Sequence, residues 1–341
     1  MIGSQDAGAH FFDFTWDATT GPTPVGSCCQ PNPIAPNGMH PDQHALVTFP
    51  GNPRIFFGGS DGGIVRAGDG NSFVDISAQC ATRQAAGNLT PADLPLCQQL
   101  LSAVPPIINS MNVGLDTLQF QSVSVAADNA NHLQGGTQDN GTFDNQGGGF
   151  SWPQEIYGDG GQSGFNRTNS ALRFNTFTGQ ANDGNANNGA PDKWYEISGP
   201  ILYSQESAAF YPPVLADPHP SFPGSIFQGS RHVWRTQDWG GNPATLLAAC
   251  PEFGPYSPFC GDFEPLGGGT AFDCYFFIGG PCLNIAGDLG GTFYGTDRRT
   301  ATAARLVSSI ARTTSNTGTE WASTAGGRLF ISDNVNTASP S

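Results

Sequence analysis

The amino-acid sequence predicts an all-β fold of four-stranded antiparallel sheets, and three observations carry that prediction. Turn formers are abundant and charge is scarce, with 46 glycines and 12% charged residues in 341, a balance that favours turns over helix interiors. A glycine-rich turn, GGTQDNGTF at 135–143, has echoes at GGSDGGIVR from Gly58, GSRHVWR from Gly229 and STAGGRLFIS from Ser323, and more distantly at GSQDAGAHF from Gly3. Each clear echo follows one short β-like run and precedes another, so the repeating unit is strand, tight turn, strand.

Taken in order, the first unit (about 40–77) reads ALVTF, RIFFGG, IVRAG and SFVDIS, four short strands in about forty residues. The second (118–156) runs FQSVSVAAD, NHLQGG, TFDN and FSWPQEI. The third (160–198) is looser, with GQSGFNR, ALRFNTF and, after a polar loop, KWYEIS. A fourth (207–267) gives AAFYPPVLAD, GSIFQG, HVWRTQD and GDFEPL, and a fifth (304–334) gives RLVSSIART, GTEWAST and GRLFISD. A lone four-stranded meander has two faces to bury, and radial repetition buries them against neighbours. The expected architecture is therefore a β-propeller with disulfide-bearing loop insertions, one domain over 1–341. The insertions fall at about 16–39, 77–117 and 268–303. Helix is expected only in such excursions, at PADLPLCQQLLSAV, where a proline suits the first turn and apolar spacing is near 3.6. The strands around His10 to Thr15 are expected either to complete the last blade or to belong to a piece of a longer chain.

The formal charge is −15 and Lys193 is the single lysine, so there is no basic face to neutralise phosphates and nucleic acid is not an expected partner. Eight cysteines lie in close pairs, Cys28/Cys29, Cys80/Cys97, Cys250/Cys260 and Cys274/Cys282, without C-x-x-C or zinc-finger histidine spacing. Disulfides and an oxidising compartment are expected, with the pairing open among on the order of a hundred connectivities. No stretch reaches membrane-spanning length and no leader pattern opens the chain, which is expected to be a mature or partial piece of an extracellular or cell-surface protein. Sequons at Asn88, Asn140 and Asn166 permit glycosylation.

The runs HPDQHALVTF, NPRIFFGGSDGG, GGTQDNGTF, WRTQDWGG and WASTAGGRLFISDN resemble the bacterial secreted propellers with BNR or Asp-box repeats, a sialidase-like group that includes sortilin-type and xyloglucanase-type proteins. The resemblance covers most of 40–340. Thr236-Gln237-Asp238-Trp239-Gly240 matches the first half of the Asp-box pattern, and Asp288 to Phe293 the second. It implies a ring of about six to eight blades. A sialidase of this group would hold its substrate with three arginines and use a tyrosine nucleophile. Here Arg54-Ile55 lacks the proline that follows the usual first arginine, so those sites do not carry over.

Several clusters could carry chemistry. On a strand, His40, Asp42 and His44 would share one face and present two imidazoles and a carboxylate to a metal, or else hydrogen-bond the backbone at the neck of the first blade. Asp183, Asn185 and Asn187 alternate as oxygen ligands of a calcium loop would, with Gly189 offering a carbonyl; the alternative is a plain Asn/Gly loop. Glycoside hydrolysis needs two facing carboxyl groups, and the candidates are Asp42, Asp139, Asp159 and Glu155. Asp61, Asp139, Asp159 and Asp238 recur at comparable hairpin tips, as turn residues do because Asp tolerates left-handed backbone. Trp152, Trp194, Trp234, Trp239 and Trp321, with Tyr157 and Tyr195, would either stack on sugars or wedge between sheets. Two functions follow: a binding or assembly module for glycan or a surface protein, self-associating through its insertions, or a secreted glycoside hydrolase.

Overall fold

The computed structural model describes residues 2–19, 43–87, 89–112, 118–254, 257–267, 287–291 and 305–337. His40, Asp42, Asn88, Cys28, Cys29, Cys274 and Cys282 lie outside them. By its internal contacts the chain forms two compact units, Met1–Leu118 and Gln119–Ser341.

In the first unit, Gln43–Phe49, Asn52–Ser60, Gly63–Ala67 and Ile108–Ser110 form a four-stranded antiparallel meander. The fourth strand is not SFVDIS, as the repeat implied; Val74 makes only an isolated bridge to Val104. The chain leaves the sheet at Gly68, whose φ of +81° suits glycine and whose Cβ would lie 2.0 Å from the Arg54 carbonyl oxygen. It returns through helices Gln79–Ala85 and Leu94–Leu101. Pro95 stands in the first turn of the second helix, and Cys97 and Leu101, four apart, are buried together. The Cys80–Cys97 disulfide joins the two helices. Phe12–Asp13 pairs with Ile2–Gly3 in a two-stranded sheet of its own.

The second unit is a run of blades. Phe120–Ala126, Asn129–Thr137, Gly141–Gln146 and Gln154–Ile156 make one sheet; Ser163–Phe165, Arg173–Thr176, Asn182–Asn185 and Trp194–Glu196 the next; Val214–Ala216, Ile226–Gly229, Val233–Thr236 and Glu264–Pro265 a third. Val307–Arg312, Glu320–Thr324 and Leu329–Ser332 make a three-stranded fourth. The first strand of each sheet packs on the first strand of the next, the radial order of propeller blades. Sheet faces are buried between neighbours: Phe174, Tyr195, Ile226, Trp234 and Trp239 fill one interface, and Phe227, Val233, Val307 and Ala322 the next. Trp234, Trp239 and Tyr195 are thus wedges, each at most 2% exposed.

Two further readings are corrected. Asn182–Asn185, read as polar loop, is a fully buried strand; its neighbours on both faces supply the burial that its own Gly/Asn composition does not advertise. Short helices Gly199–Tyr203 and Pro243–Ala249 form outside the expected excursions, the latter capped by the Asn242 side chain on the amides of Ala244 and Thr245. Cys250 and Cys260 are disulfide-bonded. Among the described residues no helix is long and apolar enough to cross a membrane.

Candidate functional site

The hairpin tip at GGTQDNGTF is held by its own groups. Asp139 has φ of +65°, and its amide donates to Asp159 Oδ1 at 3.1 Å. Thr137 Oγ1 donates to the Gly141 carbonyl at 2.8 Å, and the Gly160 amide to the Thr137 carbonyl at 2.8 Å. Two of the four expected acids therefore meet, and one of them fixes the left-handed backbone of the other. Tyr211 stands near both; burial, and then the Asp159 and Asp139 charges, push its phenol up to about 12.

Glu155 belongs to a buried ionic network centred on Arg173, which is fully buried in the second strand of the adjacent sheet. Arg173 NH1 donates to Glu155 Oε2 at 3.0 Å and lies 3.3 Å from Asp144 Oδ2. Arg173 NH2 donates to Asn188 Oδ1 at 2.9 Å. His132 Nε2 is 2.8 Å from Asp144 Oδ1. The guanidinium also lies 5.1 Å from the Phe165 ring centre. Burial raises the Glu155 carboxyl to about 8, with Arg173 opposing and Asp144 reinforcing. Gly189 closes over it: a Cβ there would come within 1.9 Å of Glu155 Oε2. The Glu155 carboxyl is 8% exposed and accepts from the buried arginine.

The expected calcium residues are divided between strand and turn. Asn185 Oδ1 accepts from the amides of Asn187 and Gly189 at 2.7 and 3.0 Å, and its Nδ2 donates to the Ala190 carbonyl. Asp183 pairs across the sheet with Glu196. Burial raises Asp183 to about 7, and raises Glu196 and Glu252 to about 8 with the Asp183 charge adding to each. Among the described residues no three His, Cys, Asp or Glu side chains converge to hold a metal. His44 contacts Asp61 across the first hairpin of the other unit.

The turn at Thr236 repeats the pattern of Asn185: Thr236 Oγ1 accepts from the Gly240 amide at 2.9 Å and donates to Asp262 Oδ1 at 2.6 Å. Trp239 then takes φ of +68° and turns its ring into the core. The remaining arginines of this unit that form ion pairs are equally committed. Arg231 binds Asp288 through Nε and NH2, and Arg312 NH2 binds Asp217 at 2.8 Å. Glu206 accepts from His232, from the Arg231 and His232 amides and from Trp234 Nε1. These hubs were missed in the sequence. Their signal was a charged residue inside a β-like run, Arg173 in ALRFNTF and Arg231-His232 in GSRHVWR, in a chain otherwise poor in charge.

Fold and site together define a class: an all-β protein of propeller-type blades whose second unit carries ion pairs buried between its sheets. No known protein family matches the chain, and no curated protein matches it. Among solved structures it is similar to a GH74 enzyme from Niastella koreensis (10% identity, 87% of this chain and 30% of that one, TM-score 0.36). It is similar also to YCF48 from Cyanidioschyzon merolae (11% identity, 88% and 70%, TM-score 0.36). A third is the GH74 xyloglucanase from Xanthomonas campestris (10% identity, 86% and 45%, TM-score 0.28). The chain spans less than a third of the Niastella enzyme and less than half of the Xanthomonas one. Similarity at this level assigns neither family nor activity.

Proposed function

We propose that this chain is an extracellular propeller-type binding or assembly module that presents its loops to a glycan or a surface protein. The observation that carries the reading is the fate of the acids: Glu155 is bound to buried Arg173, and Asp159 holds the Asp139 amide. A hydrolase would instead present two carboxyl groups at roughly 5–10 Å across an accessible cleft. Disulfides at Cys80–Cys97 and Cys250–Cys260 support an oxidising compartment. Assignment to the BNR or Asp-box group is part of this proposal, supported by the Thr236 turn and by the Asp288 carboxylate that receives Arg231.

One observation favours the hydrolase alternative: a carboxyl raised to about 8, as at Glu155, suits a general acid. The test is to assay the folded protein against immobilised polysaccharides and sialylated glycoprotein for both retention and release of sugar. Retention without release supports the module. Release that disappears in Glu155→Gln overturns it.

A further inference from the structure

At the end of the second unit where GGTQDNGTF turns, separate loops bring aromatic rings together. Tyr157 stands directly behind that turn, since a Cβ on Gly141 would come within 3.0 Å of its Cα. Phe177 opens the hairpin turn that follows Arg173–Thr176, and Phe253 lies in the loop closed by Cys250–Cys260. The Phe253 ring centre is 4.9 Å from that of Tyr157 and 5.5 Å from that of Phe177. The Phe177 turn is tied in its own right to the next loop: the Gly179 amide donates to the Phe210 carbonyl at 2.8 Å, and the Phe210 ring meets Tyr211 edge-on at 4.9 Å. Phe210 is 61% exposed and Phe253 38%.

The backbone keeps these rings in place. Phe253 takes φ of +55°, a left-handed conformation that is uncommon for a bulky side chain. Both ends of its loop are anchored on the neighbouring sheet, by the Glu196 amide on the Cys250 carbonyl at 3.0 Å and the Gly199 amide on the Cys260 carbonyl at 2.7 Å. A loop fixed beforehand loses little freedom when a ligand lands on it. The charges that act on Tyr211 are those of Asp159 and Asp139, and both acids are half-buried at the adjoining turns. Aromatic side chains bring about 150–250 Å² each. With these rings mostly half-buried, on the order of 400 Å² stays open, well below the roughly 800 Å² per partner of a standard protein interface. That area suits a short oligosaccharide. A sugar ring lays the positive edge of its C–H bonds on the negative face of an aromatic ring and donates its hydroxyl protons to carboxylates.

We infer that Tyr157, Phe177, Phe210, Tyr211 and Phe253 form a stacking surface for a neutral glycan, with Asp159 accepting from sugar hydroxyls at its edge and disfavouring anionic sugars. The inference rests on the binding-module reading above and gives that module its site and its ligand class.

The test titrates the full chain calorimetrically with cellohexaose, xylohexaose, mannohexaose and hexagalacturonate at low salt. At least one neutral hexasaccharide is expected to bind saturably, with hexagalacturonate weakest, and Asp159→Asn should narrow that gap. Phe210→Ala and Phe253→Ala should each weaken the neutral ligand about three- to tenfold, and Phe210→Tyr should keep its affinity. Phe150→Ala removes a more exposed ring at the opposite end of the Gly141–Gln146 hairpin and should change nothing. No saturable binding of any neutral hexasaccharide, hexagalacturonate bound as tightly as the best neutral ligand, or an equal loss in Phe150→Ala would each overturn the inference. Retention of a polysaccharide that persists undiminished in Phe210→Ala and Phe253→Ala would overturn this site and leave the module reading standing, whereas sugar release lost in Glu155→Gln would overturn the module reading alone. If Phe253→Ala does not fold, the exposed Phe210 and its two variants still decide the matter.

Discussion

At the scale of single residues, Arg173 and the acids around it make opposite predictions. Removing the guanidinium leaves Asp144 buried without its counter-charge and Glu155 without its hydrogen-bond donor, so Arg173→Met should lower the unfolding free energy by about 3–5 kcal/mol in urea titration. Glu155→Gln should change it by less than about 1 kcal/mol at pH 7, because a carboxyl raised to about 8 already carries its proton there and the amide oxygen can still accept from Arg173. A large loss in Glu155→Gln would mean that the residue is ionised in the native state. Of the residues that sequence reasoning singled out as chemical, Asp159 accepts from the Asp139 amide and Asn185 from the Asn187 amide. Their recurrence at hairpin tips was legible; the buried partners of Arg173 were not, because the packing of one sheet on the next brings together residues about forty positions apart, such as His132 and Arg173.

At the scale of elements, the blades depend on close backbone approach. Gly136 faces Gly160 and Gly161, and a Cβ there would lie 2.3 Å from the Gly161 carbonyl oxygen. Gly136→Ala should therefore cost about 1–3 kcal/mol, read from the denaturation midpoint. Gly135 and Gly136 thus both have work as strand residues, since a Cβ on Gly135 would meet Phe120 at 2.4 Å. Strands with alternating or aromatic patterns, such as Phe120–Ala126 and Val233–Thr236, were legible in the sequence. Asn182–Asn185 was not, because its stability comes from flanking strands and not from β-propensity. The fourth strand of the first sheet was misplaced for a similar reason: a turn at Gly68 sends the chain through two helices before Ile108–Ser110 returns to the edge. The disulfides brace such excursions. Reducing Cys250–Cys260, which closes a separation of ten residues, should remove about 2–4 kcal/mol. Alkylation of the unreduced, denatured chain should label at most four of the eight cysteines.

At the scale of the whole molecule, the buried acids set the response to pH. Glu155, Glu196, Glu252 and Glu320 are raised to about 8 and Asp183 to about 7, above the unfolded range of about 4 to 4.5. The native state holds these protons where the unfolded chain has released them, so their contribution is full below about pH 4 and is lost as pH rises through 7 to 8. Thermal midpoints should fall from pH 5.5 to pH 9. Glu196→Gln combined with Glu252→Gln should flatten that slope, whereas Asp69→Asn, an exposed acid held low by Asn71, should not. Reducing-end release from a polysaccharide panel by the native protein decides whether the hairpin acids are structural and the chain binds rather than hydrolyses. No release is expected, with any retained polymer recovered intact. Release that is abolished by Asp159→Asn in a variant of native stability would contradict it.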